Sequence, residues 1–222
     1  MRTPLKNRIL PPYTHGEEIF NMVTHIVGGA VGVVALFSCV IAAVLRNNAL
    51  GVVSGSVYGG SVILLFTCSA IYHGLTAKTA KKVFQILDHC TIFIMIAGTY
   101  TPVLLGDFRK SHPTDAWILF AFVWGVTVLG VVFNSIDLKK FSKISFVCYL
   151  LMGWCCIFRI SRILDSYNSA LFVYLLSGGI AYTIGAVFYT FGEKKKYIHS
   201  VWHIFTVIAA MLHLIGIVFF VV

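Results

Sequence analysis

Seven runs of predominantly apolar residues, separated by short polar segments, follow one another along the chain. Most of them approach the ~20 residues that a helix needs to cross the hydrocarbon core of a bilayer. The pattern therefore predicts an all-α integral membrane protein with seven transmembrane helices, built as a single domain over residues 1–222. Arg159 and Arg162 cut the fifth run short. The runs cover residues 19–45, 49–72, 83–105, 116–133, 144–158, 170–191 and 201–222.

Composition supports a membrane location and disfavours a soluble domain. Hydrophobic residues make up 59% of the chain and charged residues 11%, whereas soluble domains carry about 25% charged residues. The net charge of +9 comes from short basic clusters between apolar runs, a pattern typical of membrane topology. We therefore expect no nucleic-acid binding. The six cysteines lie within apolar runs without a CxxC pair, which indicates buried thiols.

The distribution of lysine and arginine predicts the orientation of the chain. Of the 17 Lys and Arg residues, 12 fall in the N-terminal segment and the second, fourth and sixth loops, and 5 in the other loops. Cytoplasmic loops carry the excess of positive charge. The chain is therefore expected to be a multi-pass protein of the cell membrane, with residues 1–18 in the cytoplasm and the C-terminus outside. No convincing cleavage site follows the basic N-terminus, so the first run is expected to remain as an anchor.

Ionisable side chains within apolar runs are few, and such groups are usually functional. Asp88 is the one acidic residue clearly inside a run. His25, His199 and His203 lie near the starts of odd-numbered runs, and His73 lies at the end of an even-numbered run. Because successive runs cross the membrane in alternate directions, the start of an odd-numbered run and the end of an even-numbered run lie on the same side. The charge distribution makes that side cytoplasmic.

The spacing of three of these histidines predicts a metal site. His199 and His203 are four residues apart and therefore share one helical face. A His-x-x-x-His pair can chelate one metal ion, and His73 on a facing helix would supply a third imidazole. Three imidazoles with one open position are typical of catalytic zinc, although the ligand types alone do not exclude other transition metals.

Two further residues are candidates for catalysis. Ser200 stands where soluble zinc proteases carry a glutamate, so a general base must come from elsewhere. Asp88 has the right depth to hold and deprotonate a metal-bound water. Ser69, one turn from His73, is expected to steady that water or a developing oxyanion. The alternative is a buried hydrogen-bonded network that only holds helices together.

Other polar residues in the runs have simpler expected roles. His213 lies about 21 Å along its helix from the first histidine of the pair, so we predict a packed, hydrogen-bonded side chain. His89 is expected to make a helix contact or to lie at an interface. Glu18 and Asn21, followed by His25, form a polar stripe on the first run. That stripe is expected to cap the helix or contact the basic loops, or else to line the entrance to the site.

Together these segments resemble the hemolysin III proteins of bacteria, within the progestin and adiponectin receptor superfamily. The resemblance spans nearly the whole chain. It implies a seven-helix fold with a cytoplasmic N-terminus and a zinc ion held by His73, His199 and His203, with Asp88 and Ser69 beside it. The matching segments are residues 18–21 with His25, 69–73, Asp88 with His89, 97–102, and 199–203 with His213.

Two functions remain open at this point. The superfamily is similar to the alkaline ceramidases, which implies an intramembrane zinc hydrolase that takes a lipid amide or ester sideways from the bilayer. The bacterial branch is named for a lytic activity and has been linked to membrane-lipid homeostasis. That connection implies instead a non-enzymatic protein, lytic or lipid-sensing, in which zinc braces the helices. Polar residues concentrate at one end of the runs, which disfavours a wide channel.

Overall fold

The computed structural model describes residues 3–192 and 195–222. Arg2 and Lys194, which contribute to the predicted charge asymmetry, lie outside the described residues. Within the described ranges the chain is helical and contains no strand. The helices are α1 (His15–Leu45), α2 (Ala49–Gly74), α3 (Lys78–Leu105), α4 (Asp107–Ser111), α5 (Pro113–Trp154), α6 (Ile160–Ser166), α7 (Ser169–Phe191) and α8 (Ile198–Phe220), with short 3-10 helices at Leu5–Asn7 and Cys155–Arg159.

Six helical segments in the described part of the chain are long and apolar enough to cross a membrane. Their outward faces carry large exposed hydrophobic side chains, such as Phe37, Val128 and Val173. A surface of this kind matches hydrocarbon rather than water. The predicted all-α, multi-pass membrane architecture is therefore confirmed.

Helix α5 contains the fourth and fifth predicted runs and changes direction between them. Asp137 has non-helical dihedral angles, φ −158° and ψ 96°. Its carboxylate accepts a hydrogen bond from the backbone N–H of Lys140 at 3.1 Å, as a helix N-cap does. The Ser145 hydroxyl donates to the Asn134 side-chain oxygen at 2.6 Å, although a straight helix would separate these residues by about 16 Å. The two halves of α5 therefore fold back against each other.

The helices pack around a central space. Helix α1 packs on α2 and α8, α2 packs on α3, α3 on α5, and α7 on α8. Small residues allow the closest of these approaches, as is usual between membrane helices. A Cβ on Gly59 would lie 2.4 Å from the Cα of Leu36, and a Cβ on Gly32 would lie 2.8 Å from the backbone nitrogen of Ile63.

A largely apolar cavity of about 1010 Å³ lies between the helices, and its lining comes from α1, α2, α3, α5, α6, α7 and α8. Helices α5 and α7 touch each other only sparsely. Val147 and Ile157, which line the cavity near α5, are each 52% exposed. The cavity therefore reaches the lipid-facing surface on this side of the bundle.

Candidate metal centre

Three buried histidines meet at one end of the cavity. His73 lies at the end of α2, and His199 and His203 lie in the first turns of α8. One ring nitrogen from each lies within 4.8 Å of the other two. Within the described residues, no other three His, Cys, Asp or Glu side chains form such a group. The structure thus brings together the three residues that four-residue spacing and the alternation of membrane crossings predict as ligands.

The first turns of α1 hold the start of α8 in place. Tyr197, just before α8, has a left-handed backbone with φ 61°. Its N–H donates to a carboxylate oxygen of Glu17 at 2.7 Å. One turn further along α1, the side-chain oxygen of Asn21 accepts a hydrogen bond from the Ser200 hydroxyl at 2.7 Å. These contacts fix where α8 begins, and therefore where its two histidines lie.

Hydrogen bonds on the outer side of two imidazoles orient them. His73 Nδ1 lies 2.7 Å from Glu18 Oε2, and because a carboxylate accepts, Nδ1 is the donor. His203 Nδ1 lies 3.3 Å from the carbonyl oxygen of Asn21, which also accepts. Metal-binding histidines usually donate their second ring N–H to a carboxylate or carbonyl in this way. In both residues Nε2 keeps its lone pair, as a metal ligand requires.

The three imidazoles fit a zinc ion. His199 Nε2 and His203 Nε2 are 3.1 Å apart, and two nitrogens bound to one tetrahedral zinc at 2.0–2.1 Å would be separated by about 3.3 Å. A hydrogen bond between these two rings would satisfy that pair without a metal. That arrangement would leave His73 Nε2 unpaired, because this atom is buried and has no hydrogen-bond partner among the described residues. A shared ion accounts for all three nitrogens.

The two predicted catalytic side chains line the same cavity. The Ser69 hydroxyl is buried and finds no hydrogen-bond acceptor in the described part of the protein. Asp88 lies outside the three-histidine group, and one of its carboxylate oxygens is 3.7 Å from His89 Nδ1. Both side chains are therefore accessible from the cavity.

Lys81 is a site residue that the sequence analysis did not identify. Its ammonium group lies 3.0 Å from Glu18 Oε1 and donates to the carbonyl oxygens of Tyr72 and His73. Lys81 precedes the third apolar run and counts among the loop lysines in the charge distribution, so the sequence pattern contains no signal for this buried contact. Lys81 therefore ties α3 to the carboxylate that orients His73.

The remaining polar residues of the runs also have defined contacts. The polar stripe of α1 was expected to cap the helix, to contact basic residues or to line the entrance to the site. The second of these roles is seen at Glu18, whose carboxylate lies 3.0 Å from the ammonium group of Lys81. His25 stacks on His203 with a ring separation of 3.6 Å. His89 Nε2 lies 3.2 Å from the hydroxyl of Tyr189 on α7, which confirms its expected helix contact. His213 is packed and hydrogen-bonded, as predicted.

The ring of Tyr13 stacks on His199 with the ring centres 4.8 Å apart. Tyr13 precedes α1 in a segment that the apolar pattern leaves undefined, so this contact could not be predicted from the sequence. The N-terminal segment therefore covers one side of the histidine cluster.

Comparison with known proteins places the chain in a family. The family described as "Haemolysin-III related" matches residues 13–214. The chain is 38% identical over 189 residues to "Hemolysin-3" of Bacillus cereus, covering 85% of this chain and 84% of that protein. It is 36% identical over 193 residues to the "Hemolysin-3 homolog" of Bacillus subtilis (strain 168), covering 87% and 89%. It is also 25% identical over 219 residues to the human "Monocyte to macrophage differentiation factor", covering 96% and 87%. The chain belongs to the haemolysin-III-related family of membrane proteins.

Proposed function

We propose that this protein is a zinc-dependent hydrolase that cleaves an amide or ester bond of a membrane lipid near the cytoplasmic leaflet. The observation that carries this proposal is the position of the three buried histidines at one end of an apolar cavity that Asp88 and Ser69 also line. Apolar pockets with a few convergent polar groups are the usual form of small-molecule sites. A lipid is the ligand class that suits a cavity reaching the surrounding hydrocarbon.

The proposal includes seven membrane crossings with the N-terminus in the cytoplasm and the C-terminus outside. The reversal of α5 at Asp137 supports the count, because it divides one long helical segment into two antiparallel parts. The excess of Lys and Arg in the N-terminal segment and the even-numbered loops supports the orientation. The histidine cluster then lies toward the cytoplasmic side.

In this proposal His73, His199 and His203 hold the zinc ion. When bound, zinc supplies Lewis acidity, which acidifies water and polarises a carbonyl oxygen. The Asp88 carboxylate accepts a proton from the attacking water as the oxygen of that water adds to the carbonyl carbon. The Ser69 hydroxyl donates to the carbonyl oxygen as negative charge develops there. The carbon–nitrogen or carbon–oxygen bond then breaks, and the proton held by Asp88 passes to the leaving atom.

The cavity gives the substrate a route from the bilayer. Its exposed lining near Val147 and Ile157 lies where α5 and α7 have few contacts. A lipid passing there keeps its chain in an apolar environment, and only its polar linkage approaches the histidines. The apolar lining also limits water, which strengthens electrostatic interactions within the site.

A second candidate function is a non-enzymatic membrane protein in which zinc only braces the helices. It is favoured by the origin of the ligands, because His73 and the pair on α8 are far apart in the chain and are buried together. A metal shared by α2 and α8 would hold the bundle closed. The lytic activity suggested by the name of the "Hemolysin-3" relatives would fit such a role, and so would lipid sensing.

The Asp88→Asn variant separates the two functions. For the hydrolase we expect retained zinc and an unchanged melting temperature, with lipid turnover lowered about a hundredfold or more because acid–base assistance is lost. Zinc content, melting temperature and hydrolysis of lipid amides and esters should be measured on one preparation in lipid vesicles. Asp165→Asn, an exposed acidic residue of α6, is the matched control and should retain full turnover.

An Asp88→Asn protein that binds zinc and works at the wild-type rate would rule out the hydrolase and favour the brace. The His203→Ala variant tests the ligand set itself. We expect it to lose the metal together with much thermal stability, because the site joins α2 to α8. Stoichiometric zinc retained in His203→Ala would contradict the proposed ligands.

A further inference from the structure

A second polar position lies deeper in the same cavity. His213 is on α8, ten residues beyond His203, which corresponds to about 15 Å along the helix axis. It lines the cavity and is only 9% exposed. The hydrolase mechanism gives it no task. A buried polar side chain in an otherwise apolar region needs a hydrogen-bonding explanation.

Contacts with α7 fix which ring nitrogen of His213 can accept a hydrogen bond. Nε2 lies 3.2 Å from the carbonyl oxygen of Leu175, and since a carbonyl only accepts, Nε2 carries the proton. In a neutral imidazole the other nitrogen is then an acceptor. His213 Nδ1 is buried and has no hydrogen-bond partner among the described residues. The ring thus presents an unused acceptor.

Helix α7 is shaped to seat this ring. A Cβ on Gly178 would lie 2.3 Å from Cδ2 of His213, so only glycine leaves room for the imidazole. The ring of Tyr182 lies beside it, with centres 5.6 Å apart. The Tyr182 hydroxyl donates to the sulfur of Met95 at 3.6 Å, which is a weak acceptor. The lone pairs of the phenol oxygen therefore remain available to a second donor.

These features define the ligand chemistry that the position would accept. Two acceptors, His213 Nδ1 and the Tyr182 oxygen, lie among apolar residues that line the cavity. A methylene group would leave them unpaired, and a ketone oxygen would oppose them with a further acceptor. A hydroxyl group has a proton to donate to one of them. The complementary ligand is a hydrocarbon chain that carries a hydroxyl.

We propose that His213, supported by Tyr182, recognises a hydroxyl group partway along the hydrocarbon chain of the lipid that occupies the cavity. This inference rests on the proposed function to the extent that a lipid enters the cavity. It does not depend on hydrolysis. Binding can therefore be measured separately from turnover.

The test is equilibrium binding of matched fatty acids to the full-length protein in nanodiscs. The probes are stearate, 12-hydroxystearate, 12-oxostearate and 2-hydroxystearate. We expect 12-hydroxystearate to bind about tenfold more tightly than stearate and 12-oxostearate, the factor that one additional hydrogen bond supplies. The isomer with its hydroxyl beside the carboxylate should gain no such advantage.

The His213→Phe variant should bind stearate as the wild type does and lose the preference for 12-hydroxystearate. His15→Phe, an exposed histidine at the start of α1, is the matched control and should keep the preference. The comparison of hydroxy and oxo chains on the wild type tests the idea even if His213→Phe fails to fold. Equal affinity of stearate and 12-hydroxystearate for the wild type would overturn the inference and leave the lipid cavity intact. Failure of every chain to bind would overturn the inference and the lipid-binding part of the proposed function together.

Discussion

Replacing Lys81 with methionine should destabilise the protein far more than the same change at Lys82. Lys81 Nζ donates to three carbonyl oxygens at the end of α2, at 3.0, 3.2 and 3.1 Å, and lies 3.0 Å from Glu18 Oε1. Its side chain is 11% exposed. Lys82 donates to a single exposed carbonyl, that of Lys6, at 2.8 Å. The two neighbouring lysines therefore form a matched pair.

The size of the effect follows from these contacts. A hydrogen bond that involves a charged group contributes about 1.5–3 kcal/mol. Methionine retains the apolar stem, and ordering a lysine side chain costs about 2 kcal/mol, which offsets part of the loss. The expected net change for Lys81→Met is about 3 kcal/mol. For a chain of this length that corresponds to a melting temperature lower by about 6–12 °C.

A second consequence should appear in the zinc affinity of the proposed metal site. Without Lys81, the Glu18 carboxylate that accepts from His73 Nδ1 loses the cation that holds it. Loss of such outer hydrogen-bonding support typically weakens metal binding by about 10–100-fold. Competition with a zinc chelator would measure this change, and thermal unfolding in detergent would measure stability.

Lys82→Met should stay within about 0.5 kcal/mol of the wild type, as surface substitutions usually do. Its zinc affinity should be unchanged. Equal melting temperatures and equal zinc affinities for the two variants would refute the assigned role of Lys81. A loss of stability without a loss of zinc affinity would restrict that role to the end of α2.

Two further predictions address packing and topology. Gly59→Ala should lower the melting temperature, because its Cβ would meet the α1 backbone at 2.4 Å, whereas Gly60→Ala, with nothing within 4 Å, should be neutral; equal thermal stability would contradict the close α1–α2 approach. A reporter fused after Val222 should lie outside the cell, and one inserted in the loop at residues 194–196 should lie in the cytoplasm. The reverse pattern would refute the orientation, although the histidines would still share one side.

Most of the helical architecture could be predicted from the sequence. Long apolar runs require helices because a bilayer leaves no other way to satisfy the backbone of a single segment. The division between the fourth and fifth runs was visible as a polar interval. The structure adds the reason for it, which is the cap that Asp137 forms on Lys140. The short helices α4 and α6 were not predicted, because each is too brief to show a periodic pattern.

Part of the candidate site also followed from sequence alone. Four-residue spacing places His199 and His203 on one face of a helix. The alternation of membrane crossings places His73 at the same depth. Both arguments depend only on local geometry and on the alternation of membrane crossings. They require no knowledge of which helices are neighbours.

Tertiary structure decided how these residues are supported and what surrounds them. The contact of Glu18 with His73 and Lys81 joins three helices, and residues from seven helices line the cavity. Within a bilayer, all helices present similarly apolar surfaces, so hydrophobic pattern does not determine which of them pack together. Small-residue contacts and buried hydrogen bonds make that choice. They act between residues far apart in the chain, and for that reason the sequence determined the helices and the depth of the histidines, while the fold determined the site.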